Sequence, residues 1–273
     1  VTWRSGLPAT AGVVLAGGRS TRMGRSKAWL EWHGSTLLHR AAAILARTVG
    51  GPVVVVAAPG QELPPLPPDV SVVADPVEGL GPMQGLAAGL AAVADRAGTA
   101  FVCSTDMPFL HPAFVRRVVR ALPAGADVAL PVARGYRQPL AAAYRTGLAG
   151  LVEDLLAEGD LRPGMLFEHC EVVRLDDERL LADAELARLD PALESVVNVN
   201  SPDDYAAARE RPQPEIVVEC GRGPHRVRAA TLGIAAAEVG LKLGPGVVVV
   251  LNGDQTAPDE RLPLVAGDTV SLP

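Results

Sequence analysis

The sequence has only three cysteines, Cys103, Cys170 and Cys220, an odd number without a Cys-x-x-Cys pair. This argues against a disulfide framework or a structural zinc site and fits a reducing compartment, so a cytoplasmic protein is expected. Aromatic residues are scarce at 4%, which leaves Val, Leu and Ala to fill the core. No apolar run approaches the roughly 18 residues of a membrane span, and the opening Val-Thr-Trp-Arg-Ser-Gly lacks the apolar stretch of a signal peptide. A basic surplus is missing too, since 25 Lys and Arg stand against 31 Asp and Glu for a net charge of −6. Nothing here suits a nucleic-acid backbone, and a free nucleotide arriving with its metal ion fits the charge better. His33, His39, His111, His169 and His225 are scattered and form no zinc cluster.

What is present is apolar residues at 48%, arranged in short runs. Residues 11–15, 53–57, 70–74, 100–104, 127–132 and 139–144 read as strands; 35–48, 83–93 and 112–122 read as helices, the first with Ser35 as its N-cap. Wholly apolar strands alternating with helices predict an α/β fold, a mostly parallel Rossmann-like sheet with helices on both faces. In such sheets ligands bind at the carboxyl ends of the strands, so the loops after Leu15, Ala74 and Ser104 are expected to converge. Arg-Pro-Gln-Pro within 209–215 marks a boundary between a domain over 1–211 and a second over 215–273. Beyond it, a hairpin around Gly221–Pro224, a helix over 231–239, a strand over 247–251, the Asn252-Gly253 turn and a last strand over 269–272 suggest a small α+β module of the β-grasp type.

The densest chemical signal is Leu15-Ala-Gly-Gly-Arg-Ser-Thr-Arg-Met-Gly-Arg-Ser-Lys27. Arg25 and Ser26 separate Gly24 from Lys27, so it is not a P-loop, and Gly17-Gly18 with Gly24 does not match Gly-x-Gly-x-x-Gly. It still follows a buried strand, offers backbone N–H groups near Gly17 and Gly18, and carries Arg19, Arg22, Arg25 and Lys27, which suits a triphosphate. The competing reading is a solvated basic turn. Asp106 follows a strand where a carboxylate can meet a metal–triphosphate, or it caps the helix near Pro112. Asp75 before Pro76 reads as a ligand group or a plain turn, and Pro82 suits a helix entry. Asn198 and Asn200 read as a strand end and an N-cap for 202–210. Trp29 and Trp32 are expected beneath the loop and Cys103 in the core. Ser104 has no triad partners, which sets hydrolysis aside.

The loop resembles the signature of the nucleotidyltransferases that act on the molybdenum cofactor, Leu-Ala-Gly-Gly-x-Ser-x-Arg-Met-Gly before a lysine. Gly81-Pro82-Met83-Gln84-Gly85-Leu86 resembles that family's Gly-Pro-Leu-x-Gly, and Asp106-Met-Pro-Phe-Leu110 its Asp-x-Pro block. Gln138-Pro139-Leu140 and Asn198-Val-Asn200-Ser-Pro202 complete a likeness over about residues 10–210. The resemblance implies nucleotide binding by Leu15, Ala16, Gly17, Gly18, Lys27, Asp75, Gly81, Pro82, Gly85 and Asp106. It also implies a Mg²⁺ site at Asp106, catalysis by Lys27, Arg22 and Asp106, pterin contacts by Arg137 and Gln138, and for Asn198 and Asn200 either substrate contacts or support of the metal's ligands. Ala-Gly-Gly marks the guanylyltransferases of the family and Ala-Ala-Gly the cytidylyltransferases, so Gly17 favours GTP. The reaction implied is GMP transfer from GTP to the phosphate of molybdopterin; CTP, or another small phosphorylated acceptor, is the alternative. A molybdoenzyme or cofactor-pathway protein is an implied partner, and neither nucleic acid nor a membrane is expected.

Residues 215–273 resemble, more weakly, the β-grasp sulfur carriers of molybdopterin and thiamine synthesis, on Val247–Gly253 and Leu264–Val270. Those carriers end in Gly-Gly, whereas this chain ends Ser-Leu-Pro273, so carrier chemistry is not carried over. The module is expected to bind or pair, unless a glycine tail follows Pro273 in the full-length product.

Overall fold

The computed structural model describes residues 10–17, 23, 26–75, 81–159, 161–221 and 223–273. Its large sheet contains β1 (Thr10–Leu15), β2 (Val53–Ala57), β3 (Val70–Ala74), β4 (Thr99–Ser104), β5 (Val128–Ala133), β6 (Ala141–Arg145) and β7 (Val172–Asp176). They lie in the order β7-β5-β6-β4-β1-β2-β3, and the two-residue strand Tyr136–Arg137 pairs with β5. Strand β1 is buried along its whole length and runs parallel to both β2 and β4.

Helices α1 (Leu37–Thr48), α2 (Pro82–Val93), α3 (Pro112–Arg120) and α4 (Ala149–Ala157) cover the sheet. Alternation along β1 divides its side chains between the two faces, as a period of two requires. Val14 joins Leu38, Ile44, Leu45, Phe114 and Val118 of α1 and α3, whereas Val13 and Leu15 join Met83, Leu86, Leu90 and Val152 of α2 and α4. Cys103 is fully buried in the first of these layers, and burial holds its thiol protonated.

Three details depart from the sequence reading. Ser35 does not cap α1. The turn at His33 and Gly34, both at positive φ, folds Ser35–Thr36 back onto Glu31–Trp32, so Thr36 supplies the cap and accepts a hydrogen bond from the His39 N–H at 3.2 Å. Strand β3 is outermost, and Val72 is exposed despite its apolar sequence. Strand β6 runs antiparallel to both of its neighbours. Only residues 134–140 lie between β5 and β6, too few for the crossover of a dozen or more residues that a parallel pairing needs.

After α5 (Ala184–Leu189) and α6 (Pro202–Glu210) comes a separate C-terminal sheet domain. It holds β8 (Glu215–Cys220), β9 (Gly223–Arg228), α7 (Leu232–Glu238), β10 (Val249–Leu251), β11 (Asp254–Thr256) and β12 (Thr269–Ser271). The order is β9-β8-β12-β10-β11, with only the β8–β12 pair parallel. Asn252 and Gly253 both have positive φ, as a two-residue hairpin turn of the primed type requires. One side of α7 closes the core through Leu232, Ala235 and Ala236 against Ile216, Val218, Val249 and Val270.

This domain docks on the face of α1 that points away from the large sheet, so α1 is buried on both sides, His39 and Arg40 included. The seam is polar. Thr231 Oγ1 donates to His33 O at 3.1 Å, Arg47 Nη1 to Asp268 Oδ2 at 3.0 Å, and His111 Nε2 to Ala266 O at 3.0 Å. His111 is also the N-cap of α3, with Nδ1 accepting the Ala113 N–H at 3.0 Å, so both ring nitrogens are used by the neutral imidazole. Burial pushes its pKa down to about 4.

Two predictions follow from packing and from the seam. A methyl at Gly89 would stand 2.4 Å from Val13 Cγ1, and overpacking of about 1–3 kcal/mol outweighs the ~1 kcal/mol gain in helix propensity. Gly89→Ala therefore unfolds at lower urea than wild type, and an unchanged midpoint would contradict the packing. Below its ordinary value His111 takes up a proton when unfolded but not when folded. Stability is therefore complete above about pH 6.5 and falls as pH drops towards 4, by up to about 3 kcal/mol. His111→Asn, which still caps α3 but does not titrate, flattens that part of the stability–pH curve measured by urea unfolding.

Candidate active site

Because β1, β2 and β4 are parallel and in register, Leu15, Val56 and Ser104 lie side by side at one edge of the sheet. The chain leaving β1 is anchored there on both sides. Ala16 N–H donates to Val56 O at 2.8 Å, and Thr105 donates to Leu15 O through its N–H at 3.2 Å and its hydroxyl at 3.0 Å. Gln61 adds a third brace, with Nε2 donating to Ala16 O at 3.0 Å while Oε1 accepts the Ala58 N–H at 3.0 Å. Leu15 and Ala16 are buried, so what they offer a ligand is backbone, while Gly17 is exposed. Gly18 and Arg22, with Arg19 and Arg25, lie outside the described residues.

Lys27 opens a short 3-10 turn over Lys27–Trp29. Its ammonium donates to Asp106 Oδ2 at 2.7 Å and to Asn200 Oδ1 at 3.0 Å. The other carboxylate oxygen, Asp106 Oδ1, accepts the Ser104 hydroxyl, and Asp106 O accepts the Val199 N–H at 2.9 Å. Three segments distant in sequence thus meet at one partly buried ion pair. Side-chain exposures of 21% for Lys27 and 13% for Asp106 leave it open to a ligand from one side.

Both capping alternatives fall away. His111 caps α3, so Asp106 is not its cap and pairs with Lys27 instead. Ser201, not Asn200, caps α6, in a reciprocal capping box with Asp204. Asp204 Oδ2 also accepts the Asn200 N–H at 3.0 Å, and hydrogen bonding from Ser201 holds the Asp204 carboxyl below its ordinary pKa. The box therefore fixes the backbone from which the Asn200 side chain reaches Lys27. Asn198 is exposed and points no described contact at the pair.

Other expected residues lie at the same edge with varied roles. Asp75 N–H donates to Ala57 O at 2.7 Å, which extends the β2–β3 ladder by one residue and leaves Asp75 half-buried at its end. Gly81 caps α2 with φ 76°, a conformation glycine accommodates, and Pro82 takes the first helical position. Gly85 packs on Leu15, where an added methyl would lie 3.3 Å from Leu15 Cδ2, so close approach of α2 to β1 explains it. Ser104 N–H donates to Leu140 O at 3.2 Å, which brings 138–140 beside Asp106. The Gln138 amide braces its own turn by donating to Ala133 O at 3.3 Å, and Arg137 is exposed. Trp32 is buried with Met23 and Leu30, as expected, but Trp29 lies on the surface and donates to Glu62 O at 3.0 Å.

The donor set is oxygen-only, one carboxylate with an amide oxygen close by. That suits Mg²⁺, which binds through one or two carboxylates and completes its shell with water and phosphate oxygens. Among the described residues no three His, Cys, Asp or Glu side chains converge on a metal position. Sequence reading missed Gln61 and the structural use of Ser104 and Thr105. Each acts through a backbone or side-chain partner far away in the chain, which no local pattern announces.

Residues 12–172 match the model of the MobA-like NTP transferase domain. The chain is 44% identical over 170 residues to a probable molybdenum cofactor guanylyltransferase of Mycobacterium tuberculosis, covering 60% of this chain and 82% of that protein. A probable molybdenum cofactor guanylyltransferase of Mycobacterium ulcerans is 42% identical over 188 residues, 67% of this chain and 92% of the relative. Among solved structures, the molybdopterin-guanine dinucleotide biosynthesis protein A of Archaeoglobus fulgidus superposes with a TM-score of 0.57 at 25% identity. That likeness covers 73% of this chain and 97% of the other. The C-terminal sheet domain lies beyond the residues matched by the family model.

Gly17 gives a test of what the loop glycine is for. Among the described residues an added methyl would meet nothing nearer than Ala58 N at 3.6 Å, an ordinary contact. Gly17→Ala is therefore expected to change stability by less than about 0.5 kcal/mol in urea unfolding. A large loss would show that the fold, rather than a ligand, requires the glycine.

Proposed function

The chain belongs to the MobA-like NTP transferase family, a nucleotidyltransferase of molybdenum-cofactor biosynthesis, and on that premise we propose that it transfers GMP from GTP to the terminal phosphate of molybdopterin. The observation that carries this reading is the Lys27 ammonium held between Asp106 Oδ2 and Asn200 Oδ1 at the carboxyl edge of β1 and β4. It is a cation and an oxygen-donor set placed together, where a metal-bound triphosphate needs both.

In the proposed reaction a phosphate oxygen of the pterin attacks the α-phosphorus of GTP. A new P–O–P link forms, the bond to the β-phosphate breaks, and pyrophosphate leaves. The acceptor phosphate is already largely ionised near neutral pH, so no strong base is required. Catalysis then rests on alignment and on stabilising charge as it builds up on the leaving group. Asp106 and the Asn200 amide oxygen would hold Mg²⁺, which when bound supplies neutralising charge and a template for the phosphates. The Lys27 ammonium would bind a phosphate oxygen and neutralise charge on the leaving pyrophosphate. Arg22 and the N–H groups around Gly17 and Gly18 would complete the cradle. Arg137, on the two-residue strand that pairs with β5, and Gln138 in the turn after it would face the pterin, with Asn198 as a further substrate contact. Ala16-Gly17 rather than Ala-Ala supports GTP over CTP, and a glycine that the packing does not demand is consistent with selection by the ligand.

Residues 1–211 would form the transferase and 215–273 a β-grasp module, a reading supported by its strand order and its parallel β8–β12 pair. Three free cysteines support a reducing, cytoplasmic setting. No helix among the described residues is long and apolar enough to cross a membrane.

Mass spectrometry of the product after incubation with Mg²⁺, molybdenum cofactor and either GTP or CTP tests the reaction. The guanine dinucleotide is expected and the cytosine product is not; the reverse would overturn the nucleotide assignment. Lys27→Ala and Asp106→Ala are each expected to lower kcat by roughly 10²-fold or more. Because the pair is part-exposed, both variants should stay folded by circular dichroism. Pyrophosphate release at the wild-type rate by either variant would remove it from the mechanism.

A further inference from the structure

We propose that Arg40 is a positioning residue that ties the C-terminal sheet domain to the Asp106 loop, so that docking of this domain sets the geometry of the metal–triphosphate site. This rests on the transferase reading for the role of Asp106, but the tie itself is geometric.

Arg40 lies on α1 and is 5% exposed. Its Nε donates to Pro108 O at 2.6 Å, two residues beyond Asp106. On the other side Nη1 donates to Ala230 O at 3.2 Å, and Nη1 and Nη2 reach Leu264 O at 3.5 and 3.4 Å. The two C-terminal segments are themselves joined, with the Leu264 N–H donating to Ala230 O at 2.9 Å. One guanidinium therefore clamps a paired backbone of one domain to the catalytic loop of the other. The loop's far end has a second tie to the same domain, from His111 Nε2 to Ala266 O. Around these ties the Leu110 N–H closes a turn onto Met107 O, and just before them Asp106 O receives the Val199 N–H. A shift at Pro108 is thus passed to Asp106 and, through Val199, to Asn200.

A seam that needed only adhesion would be better served by apolar side chains, since burying a cation incurs a large desolvation penalty. That penalty is visible in Arg40, whose pKa burial lowers to about 10 against the attraction of Asp268. The planar fork of arginine gives orientation in return: several donors at fixed angles to carbonyls of two domains. On this view the C-terminal domain is a docked part of the catalytic unit.

The test uses the full chain with Arg40→Lys, Arg40→Met and Asp268→Asn. The last acts from the C-terminal side, because Asp268 accepts from Arg47, Asn252 and the Val265 N–H. Hydrogen–deuterium exchange of the 105–111 segment is compared with that of β1 and β2, and Mn²⁺ binding with GTP present is followed by electron paramagnetic resonance. Exchange at 105–111 is expected to rise by about tenfold or more in Arg40→Met, less in Arg40→Lys, with β1 and β2 unchanged. The metal concentration at half-saturation should rise severalfold in the same order, with Asp268→Asn moving both readouts in that direction. If Arg40→Met does not fold, the other two variants decide. Folded variants with wild-type exchange and metal binding, and only a lower Tm, would overturn the proposal. Faster exchange in a protein that does not turn over GTP would support the tie while removing the assigned substrate.

Discussion

The ion pair of Lys27 with Asp106 depends on strand order more than on either residue. The two groups are 79 positions apart in the chain, and nothing local holds them together. The parallel pairing of β1 with β4, in a register that sets Leu15 against Ser104, starts the segments that lead to Lys27 and Asp106 from one edge of the sheet, and the two groups meet at 2.7 Å. Parallel strands expose like ends on one edge, and backbone groups there have lost their ladder partners. Thr105, Gln61 and Val199 use those groups to pin the loops instead. The result is a cation and a carboxylate held close by backbone geometry.

Helix α1 carries this order outward. Its apolar face packs on Val14 and Val55 of the sheet, and the opposite face, with His39, Arg40 and Arg47, would be a solvated surface in a single-layer cover. Here the C-terminal domain covers it: Arg40 donates to the Ala230 and Leu264 carbonyls and Arg47 Nη1 to Asp268 Oδ2, while Asp259 lies 3.8 Å from His39. The Arg40 and Arg47 hydrogen bonds are directional and restrict how the second domain sits.

Much of this was legible in the chain, and the boundary between the legible and the hidden is physical. Apolar runs marked β1, β2 and β4 because a strand buried on both faces needs nothing else, and Asn252-Gly253 marked a turn because few other residues take positive φ. Asp106 and Lys27 stood out because charge beside a strand end and a glycine loop has few structural uses. The rest hinged on proximity between distant residues. Asn200 resembled a helix cap, and only the fold shows that Ser201 caps while Asn200 turns to Lys27. The exposure of β3 depends on its place at the sheet edge, which composition does not encode. The antiparallel β6 could have been inferred from the short link after β5, a constraint of chain length rather than of residue type. Arg40 gave no sign at all, since an arginine on the polar side of an amphipathic helix looks the same whether water or a domain lies beyond it.

That last ambiguity bears on how an added domain becomes part of an enzyme. A module joined by a linker and an apolar patch can slide or detach with little consequence for the site. Once its carbonyls satisfy a buried guanidinium whose Nε donates to the Asp106 loop, separation would leave that cation and several backbone oxygens without partners. Unmade buried hydrogen bonds to a charged group cost about 1–3 kcal/mol or more. Domain docking and loop order are then a single equilibrium, because the same donors serve both. The ion pair lies within the residues that the family model matches, and Arg40 ties its alignment to a domain that the model does not match.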